Sequence, residues 1–412
     1  MNSAGCLRVA LAVALLAPTA PALAKKHVAL PGSPHNATAT PAPTAPLPPP
    51  DSPTADKNTP TPPVLPDMTA YVLMDATTGA ILGEVNADKQ LPPASLTKLM
   101  TAYITYEALA GGTLKLDQTV PVSPEAWHAG GSRMFIDPQS SVTVDQLLHG
   151  LIIDSGNDAA VALAEQIAGS QSAFVQIMNR DAAALGLDDT HYTNVDGLPD
   201  PALRTSALDV AKLSRVLINK FPQIIDISKQ KSYTYDHITQ ASWNPVLTHD
   251  DTVDGLKTGL TDESGHCIDA TAMRGGDRMI AVVMGGPTWS ASTAAIESLL
   301  DYGQKFFKDV AVAQAGQPLE TFASDALERG NLPVGTPKTV TVTLPTDAAN
   351  KVTHDVTITA DLKHGATKGE VLGTVTYTLD GKTIATSPVV ALADARPATF
   401  FTKLKRRVNH ML

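Results

Sequence analysis

The sequence predicts an α+β core built on one antiparallel sheet, then a small all-β domain, then an amphipathic C-terminal helix. Three observations lead there. Strand-like segments stand at both ends of residues 67–308, with helical periodicity between them. Residues 309–393 alternate apolar and polar side chains with period two. Residues 394–412 return to a helical period, with a dense basic face.

The chain has 412 residues, enough for two domains. Its formal charge of −10 argues against a nucleic-acid partner, because binding phosphates needs a basic surface. Residues 1–24 read as a signal peptide: Arg8, an apolar run from Val9 to Leu16, and the small-x-small site Ala22-Leu23-Ala24. Cleavage there removes Cys6 and leaves Cys267 as a single thiol in an exported, periplasmic or otherwise extracytoplasmic protein. Residues 25–66 are rich in Pro, Thr and Ala, which fix φ and bury little, so a disordered linker is expected.

From Asp67 the texture changes. Ala70–Asp75 and Ile81–Val85 read as two strands about the Thr78-Gly79 turn. Pro92-Pro93 ends the preceding segment and leaves Ser95 at a helix start; Gly111-Gly112 stops that helix. Thr143 and Gln146 form a capping box for a buried helix through Ile152. Asp154-Ser155-Gly156 must break it, and a second helix begins at Asn157 and ends at Gly169. Lys257 is expected to open a strand, Ile280–Met284 to form another, and a helix over Ser292–Phe307 to close the domain. Further on, Thr339–Leu344, Val352–Ile358 and Val371–Leu379 alternate, and Asp380-Gly381 signals a type I′ hairpin. In the tail, Phe400, Phe401, Leu404, Val408, Met411 and Leu412 share an arc of about 120°, with Lys403, Lys405, Arg406 and Arg407 outside it. This pattern predicts attachment to a membrane surface, against the alternative of a helix docked on its own protein.

Three short motifs carry chemistry: Ser95-Leu96-Thr97-Lys98, Ser155-Gly156-Asn157 and Lys257-Thr258-Gly259. Ser95 and Lys98 lie three apart, on one side of a helical turn. A serine hydroxyl needs a base to become a nucleophile, and a buried lysine beside other cations has the lowered pKa to serve as one. Ser155 and Asn157 sit on a tight loop between core helices: a proton relay, and a hydrogen-bonding partner for a substrate carbonyl and for Lys98. Lys257 and Thr258 are suited to grip a carboxylate. Gly259 admits a substrate backbone, and the N–H groups of Ser95 and Leu260 could form an oxyanion hole. A second S-x-x-K, Ser228 to Lys231, and a second S-x-N, Ser242 to Asn244, lack flanking apolar helices and read as chance. Neither an H-E-x-x-H spacing nor a G-x-S-x-G elbow occurs, and nothing in the motifs calls for a cofactor.

The ordered triple S-x-x-K, S-x-N, K-T-G is shared by the penicillin-interactive serine enzymes. Pro93–Lys98, Ser155–Ala159 and Asp254–Gly259 resemble the low-molecular-mass penicillin-binding proteins of the D-alanyl-D-alanine carboxypeptidase type. Gly131–Phe135 is similar to that family's loop at the cleft edge, Lys368–Val375 to its C-terminal β domain, and the basic tail to its membrane anchor. The resemblance implies a transpeptidase-like catalytic fold shared with the β-lactamases. It also implies removal of the terminal D-alanine from peptidoglycan pentapeptides through an acyl-Ser95, and inhibition by β-lactams that acylate the same serine. Family members often carry an arginine shortly after the strand ending near Gly286, where this chain has Pro287-Thr288-Trp289. Three other readings stay open: a class A-like β-lactamase, which needs a deacylating glutamate, a D-alanine endopeptidase, and a weakly catalytic cell-wall scaffold.

Overall fold

The computed structural model describes residues 61–402, 404 and 406. The expected signal peptide, most of the linker and the end of the tail lie outside these residues. Within the expected linker, Pro63 and Leu65 make contacts to the domain. Pro63 O accepts a 3.0 Å hydrogen bond from Tyr71 Oη, and Leu65 lies against the core.

The strand β1 (Ala70–Asp75) pairs with β2 (Ile81–Val85) as an antiparallel hairpin. A 3₁₀ turn, Ala94–Thr97, then runs into α1 (Lys98–Ala110). The short strands β3 (Thr119–Val120) and β4 (Val142–Thr143) pair and bracket α2 (Pro124–Trp127). Four longer helices follow: α3 (Val144–Ile152), α4 (Asn157–Ala168), α5 (Gln171–Ala184) and α6 (Ala207–Lys220). After α7 (Ile224–Ser228), the hairpin β5 (Ser232–Tyr235) and β6 (Ile238–Ala241) and α8 (Val246–His249), the chain returns to the sheet. There β7 (Val253–Thr261), β8 (Gly265–Arg274) and β9 (Asp277–Gly286) run before α9 (Trp289–Phe306).

The sheet order is β2-β1-β9-β8-β7, antiparallel throughout, so the domain's first and last strands, β1 and β9, pair in the middle and β7 is an edge. One face carries the larger apolar cluster with α1 and α3 to α6; the other carries α9. Alternation decides the faces. Along β9, Ile280, Val282 and Met284 join the larger cluster, while Met279, Ala281 and Val283 pack with α9. The Thr143–Gln146 capping box is formed: Gln146 N donates to Thr143 Oγ1 and Thr143 N donates to Gln146 Oε1.

Three expectations are corrected. Lys257 stands inside β7, not at its start. The closing helix begins at Trp289, because the Thr288 hydroxyl caps it by accepting from Ala291 N. It ends one residue early, since Phe307 opens a strand directly.

That strand, β10 (Phe307–Ala313), pairs with β13 (Val340–Pro345). The remaining strands are β11 (Pro318–Ala323), β12 (Asn331–Gly335), β14 (Thr353–Ile358), β15 (Val371–Leu379) and β16 (Lys382–Ala391). They form an antiparallel sheet ordered β11-β12-β16-β15-β14, the C-terminal all-β domain. Asp380 and Gly381 both take positive φ at the β15–β16 turn, as a type I′ hairpin requires. The two domains meet at a polar seam. Thr343 Oγ1 donates to Asp309 Oδ1 at 2.7 Å and lies 2.6 Å from Thr78 Oγ1; Asp309 N donates to Asp277 Oδ2. Beyond β16, Phe400 and Phe401 are exposed, while Arg406 donates to the carbonyls of Leu327 and Glu328.

Candidate active site

Ser95 lies on the 3₁₀ turn ahead of α1, and Lys98 is the first residue of that helix. The turn is strained: Ala94 has φ +46°. Two glycines hold it. A Cβ on Gly197 would fall 1.9 Å from Ala94 O, and Gly197 itself has φ +89°, so only glycine fits there. A Cβ on Gly259 of β7 would reach 3.0 Å from Pro93 O and 3.2 Å from Ser95 N, so the strand passes directly beside the nucleophile's backbone.

Lys98 is wholly buried. Its Nζ donates to Ser95 Oγ at 2.8 Å and to the Asp196 carbonyl at 2.6 Å. Burial pushes its pKa down to about 8, against the opposing pull of Asp196 and Asp158. A lysine so lowered can hold a free amine near neutrality and take a proton from Ser95.

The loop between α3 and α4 presents Ser155 in a left-handed conformation, φ +57°. Ser132 Oγ donates to Ser155 O, Asn157 N donates to Ser132 O, and Gly156 N donates to Gly150 O. Asp158 ties this loop to its neighbour. Its Oδ1 accepts from Met134 N and Ala159 N, and its Oδ2 from Phe135 N and Ile136 N. Met134, Phe135 and Ile136 thus hang on one buried carboxylate, with Phe135 at φ +69°. Arg133 lies 5.2 Å from the Phe135 ring centroid at this edge.

Lys257, also buried, donates from Nζ to Ser155 Oγ at 3.0 Å and to Thr258 O at 3.0 Å. Burial and the nearby Lys98 ammonium push its pKa well below the usual lysine range. Thr258 is buried and Leu260 exposed on the same edge strand. The strand is pinned at its start by Asp254, which accepts a bidentate pair from Arg278 at 2.7 and 2.8 Å.

The structure brings Ser95, Lys98, Ser155, Lys257 and Gly259 together. One expected contact is corrected. The Asn157 amide does not bond Lys98; its Nδ2 donates to Gly130 O at 2.6 Å, and its buried Oδ1 has no partner. The duplicates fall elsewhere. Ser228 Oγ donates to Asp254 O, Lys231 pairs with Asp251, and Asn244 Oδ1 accepts from Val246 N at the start of α8. No arginine follows β9: Pro287 and Thr288 lead straight into α9, where Trp289 meets the His266 ring edge-on at 4.8 Å. Sequence reasoning gave no role to Asp158 or Arg278, whose partners lie far off in the chain. Only the unusual content of charge within otherwise apolar stretches marks them.

Comparison with known proteins places the chain in a family. Residues 56–288 match the D-alanyl-D-alanine carboxypeptidase family, peptidase S11, and residues 307–396 match the penicillin-binding protein 5 C-terminal domain. The D-alanyl-D-alanine carboxypeptidase DacA of Escherichia coli strain K12 is 37% identical over 349 residues, spanning 82% of this chain and 86% of that relative. Crystal structures of penicillin binding protein 5 from Haemophilus influenzae align with a TM-score of 0.75 at 34% identity, over 82% of this chain and 99% of that one. Penicillin-binding protein D2 from Listeria monocytogenes, solved in a cefotaxime-bound form, aligns with a TM-score of 0.55 at 31% identity, over 59% of this chain and 99% of that one. Both the catalytic domain and the all-β domain are matched, and the chain belongs to the D-alanyl-D-alanine carboxypeptidase family of penicillin-binding proteins.

Proposed function

We propose that Ser95 is the acyl-accepting nucleophile of a serine-type D-Ala-D-Ala carboxypeptidase and Lys98 its base. The observation that carries the assignment is the buried Lys98 Nζ at 2.8 Å from Ser95 Oγ. As a free amine, Lys98 takes the Ser95 proton while still donating to the Asp196 carbonyl. Ser95 Oγ then bonds the carbonyl carbon of the penultimate D-alanine. The N–H groups of Ser95 and Leu260 receive the oxyanion as the electron pair moves onto oxygen.

When the amide C–N bond breaks, the leaving D-alanine amine needs a proton. Ser155 supplies it and takes a proton back from Lys257, which is restored by the one Lys98 took from Ser95, so Lys257 ends the step protonated and Lys98 as a free amine. The bond from Lys257 to Ser155 favours this role. Lys257, Thr258 and Gly259 bind the terminal carboxylate and backbone, and Asn157, whose Nδ2 donates to Gly130 O in the free protein, turns to the substrate's amide carbonyl. Water then attacks the acyl-Ser95 ester; Lys98 accepts its proton and returns one to Ser95 Oγ. The products are D-alanine and a shortened stem peptide. β-Lactams, whose strained amide mimics the same bond, acylate Ser95 as well.

The reading extends to location. Among the described residues no helix is long and apolar enough to cross a membrane. A periplasmic protein held at the outer face of the cytoplasmic membrane by its basic amphipathic tail fits the sequence, and exposed Phe400 and Phe401 support it.

The test is D-alanine release from a D-alanyl-D-alanine pentapeptide by the mature protein and by Ser95→Ala. Release by the first alone is expected. Penicillin labelling of Ser95 without release would move the assignment to an endopeptidase or a scaffold.

A further inference from the structure

Asp269 is a carboxyl group that the mechanism above does not use. It stands on β8, fully buried, and accepts from Ser214 Oγ of α6 at 2.5 Å. Its other oxygen, Oδ1, is buried without a partner. A buried carboxyl with an orphaned oxygen is costly, commonly by a few kcal/mol, and persists where something compensates it.

Its place in the sheet indicates the compensation. Asp269 is the direct cross-strand partner of Lys257. Directly opposed residues project from the same face of a sheet, with Cβ atoms about 4.5–5.5 Å apart. That face is the one bearing the active site: neighbouring Cys267 joins the larger cluster, whereas Ile268 and Ala270 pack on the α9 side. On β9 the opposing residue is apolar Val282. On α6 the adjacent Arg215 is turned to the carbonyls of Ala76 and Thr77.

The two lysines of the site differ in their anions. Asp196 and Asp158 act on Lys98. Burial raises the Asp269 carboxyl to about 7, and burial with Asp158 raises Asp154 to the same value, so each is an anion only above that pH; of the two, Asp269 is the one that strand register sets opposite Lys257. A buried ammonium at Lys257, pressed by Lys98, keeps its proton only beside an anion. We propose that Asp269 is the buried counter-charge of Lys257, a positioning residue that holds the proton on Lys257 and leaves Lys98 as the free amine. The inference rests on the catalytic reading of Ser95 and Lys98.

Penicillin acylation of the full chain, followed from pH 5.5 to 10, tests it. In Asp269→Asn the alkaline limb, set by loss of the Lys257 proton, should move down by about one unit. The loss should fall on apparent binding of the carboxylate-bearing penicillin, about tenfold near pH 8, more than on the limiting acylation rate. Ser214→Ala should shift the limb the same way by less, and Ser214→Thr should restore it. These two carry the test should Asp269→Asn not fold. Unchanged limbs in folded variants, with only the melting temperature lowered, would overturn the proposal. A wild-type chain that penicillin does not label at Ser95 would instead overturn the catalytic reading beneath it.

Discussion

Lys98 Nζ lies 2.8 Å from Ser95 Oγ, and its second hydrogen bond ends on a carbonyl oxygen, that of Asp196. Neither partner is a formal charge, so nothing in direct contact obliges the lysine to stay protonated. Lys98→Ala should lower β-lactam acylation of Ser95 by about 10²–10⁴-fold while leaving the fold intact, as thermal unfolding will show. Labelling at the wild-type rate would remove Lys98 as the base.

The lowered pKa of Lys98, about 8, sets a pH dependence. About a tenth of the molecules carry the free amine at pH 7 and about half at pH 8, so acylation should rise about fivefold over that step. The stability effect has the same sign. The folded lysine binds its proton less tightly than the unfolded one, so its cost to stability is full below about pH 8 and fades toward pH 10.5. Stopped-flow acylation at several pH values checks the first statement.

Asp158→Asn should cost about 2–3 kcal/mol, because an amide –NH₂ would face two backbone N–H donors that the carboxylate now satisfies. The 131–136 segment should loosen with it. Denaturant unfolding measures the first effect, and a raised KM for peptide at little-changed kcat the second. Equal stability in the variant would show that other bonds hold the loop.

At the seam between the two domains, burial and neighbouring Asp75 raise the Asp309 pKa to about 6. A carboxyl raised in the folded state favours folding at low pH, and that contribution is lost as pH climbs through 6. Asp309→Asn should therefore raise the melting temperature at pH 8 relative to wild type and flatten its pH dependence between about 4 and 7. Differential scanning calorimetry at pH 5 and pH 8 decides this; parallel curves for both proteins would contradict it.

Deleting Thr399–Leu412 should release the protein from membranes into the soluble fraction. Fractionation of cells expressing both lengths checks this, and a truncated form still pelleting with membranes would assign attachment elsewhere.

Local spacing made much of the site legible. The offset of three between Ser95 and Lys98 and the Thr143–Gln146 box are short-range patterns that hold in any helix. The strands over Phe307–Ala313, Pro318–Ala323 and Asn331–Gly335 were not legible. The first follows α9 with no turn residue between, and the second is largely exposed, so its alternation is blurred. Asp158, Arg278 and Asp269 escaped because their roles depend on sheet register and on loops brought together through space. The direction of the Asn157 amide is set by Gly130, which nothing in the motif encodes.

The strained turn at Ala94 owes its shape to Gly197 and Gly259, residues distant in sequence from it and from each other. The reactive serine is therefore a long-range product of folding. Its geometry exists only once the loop before α6 and the edge strand have both arrived, after most loop-closure entropy has been spent. A penicillin label then counts native molecules. Partly folded chains and variants damaged far from the cleft should stay silent to the antibiotic until the last of these segments is seated.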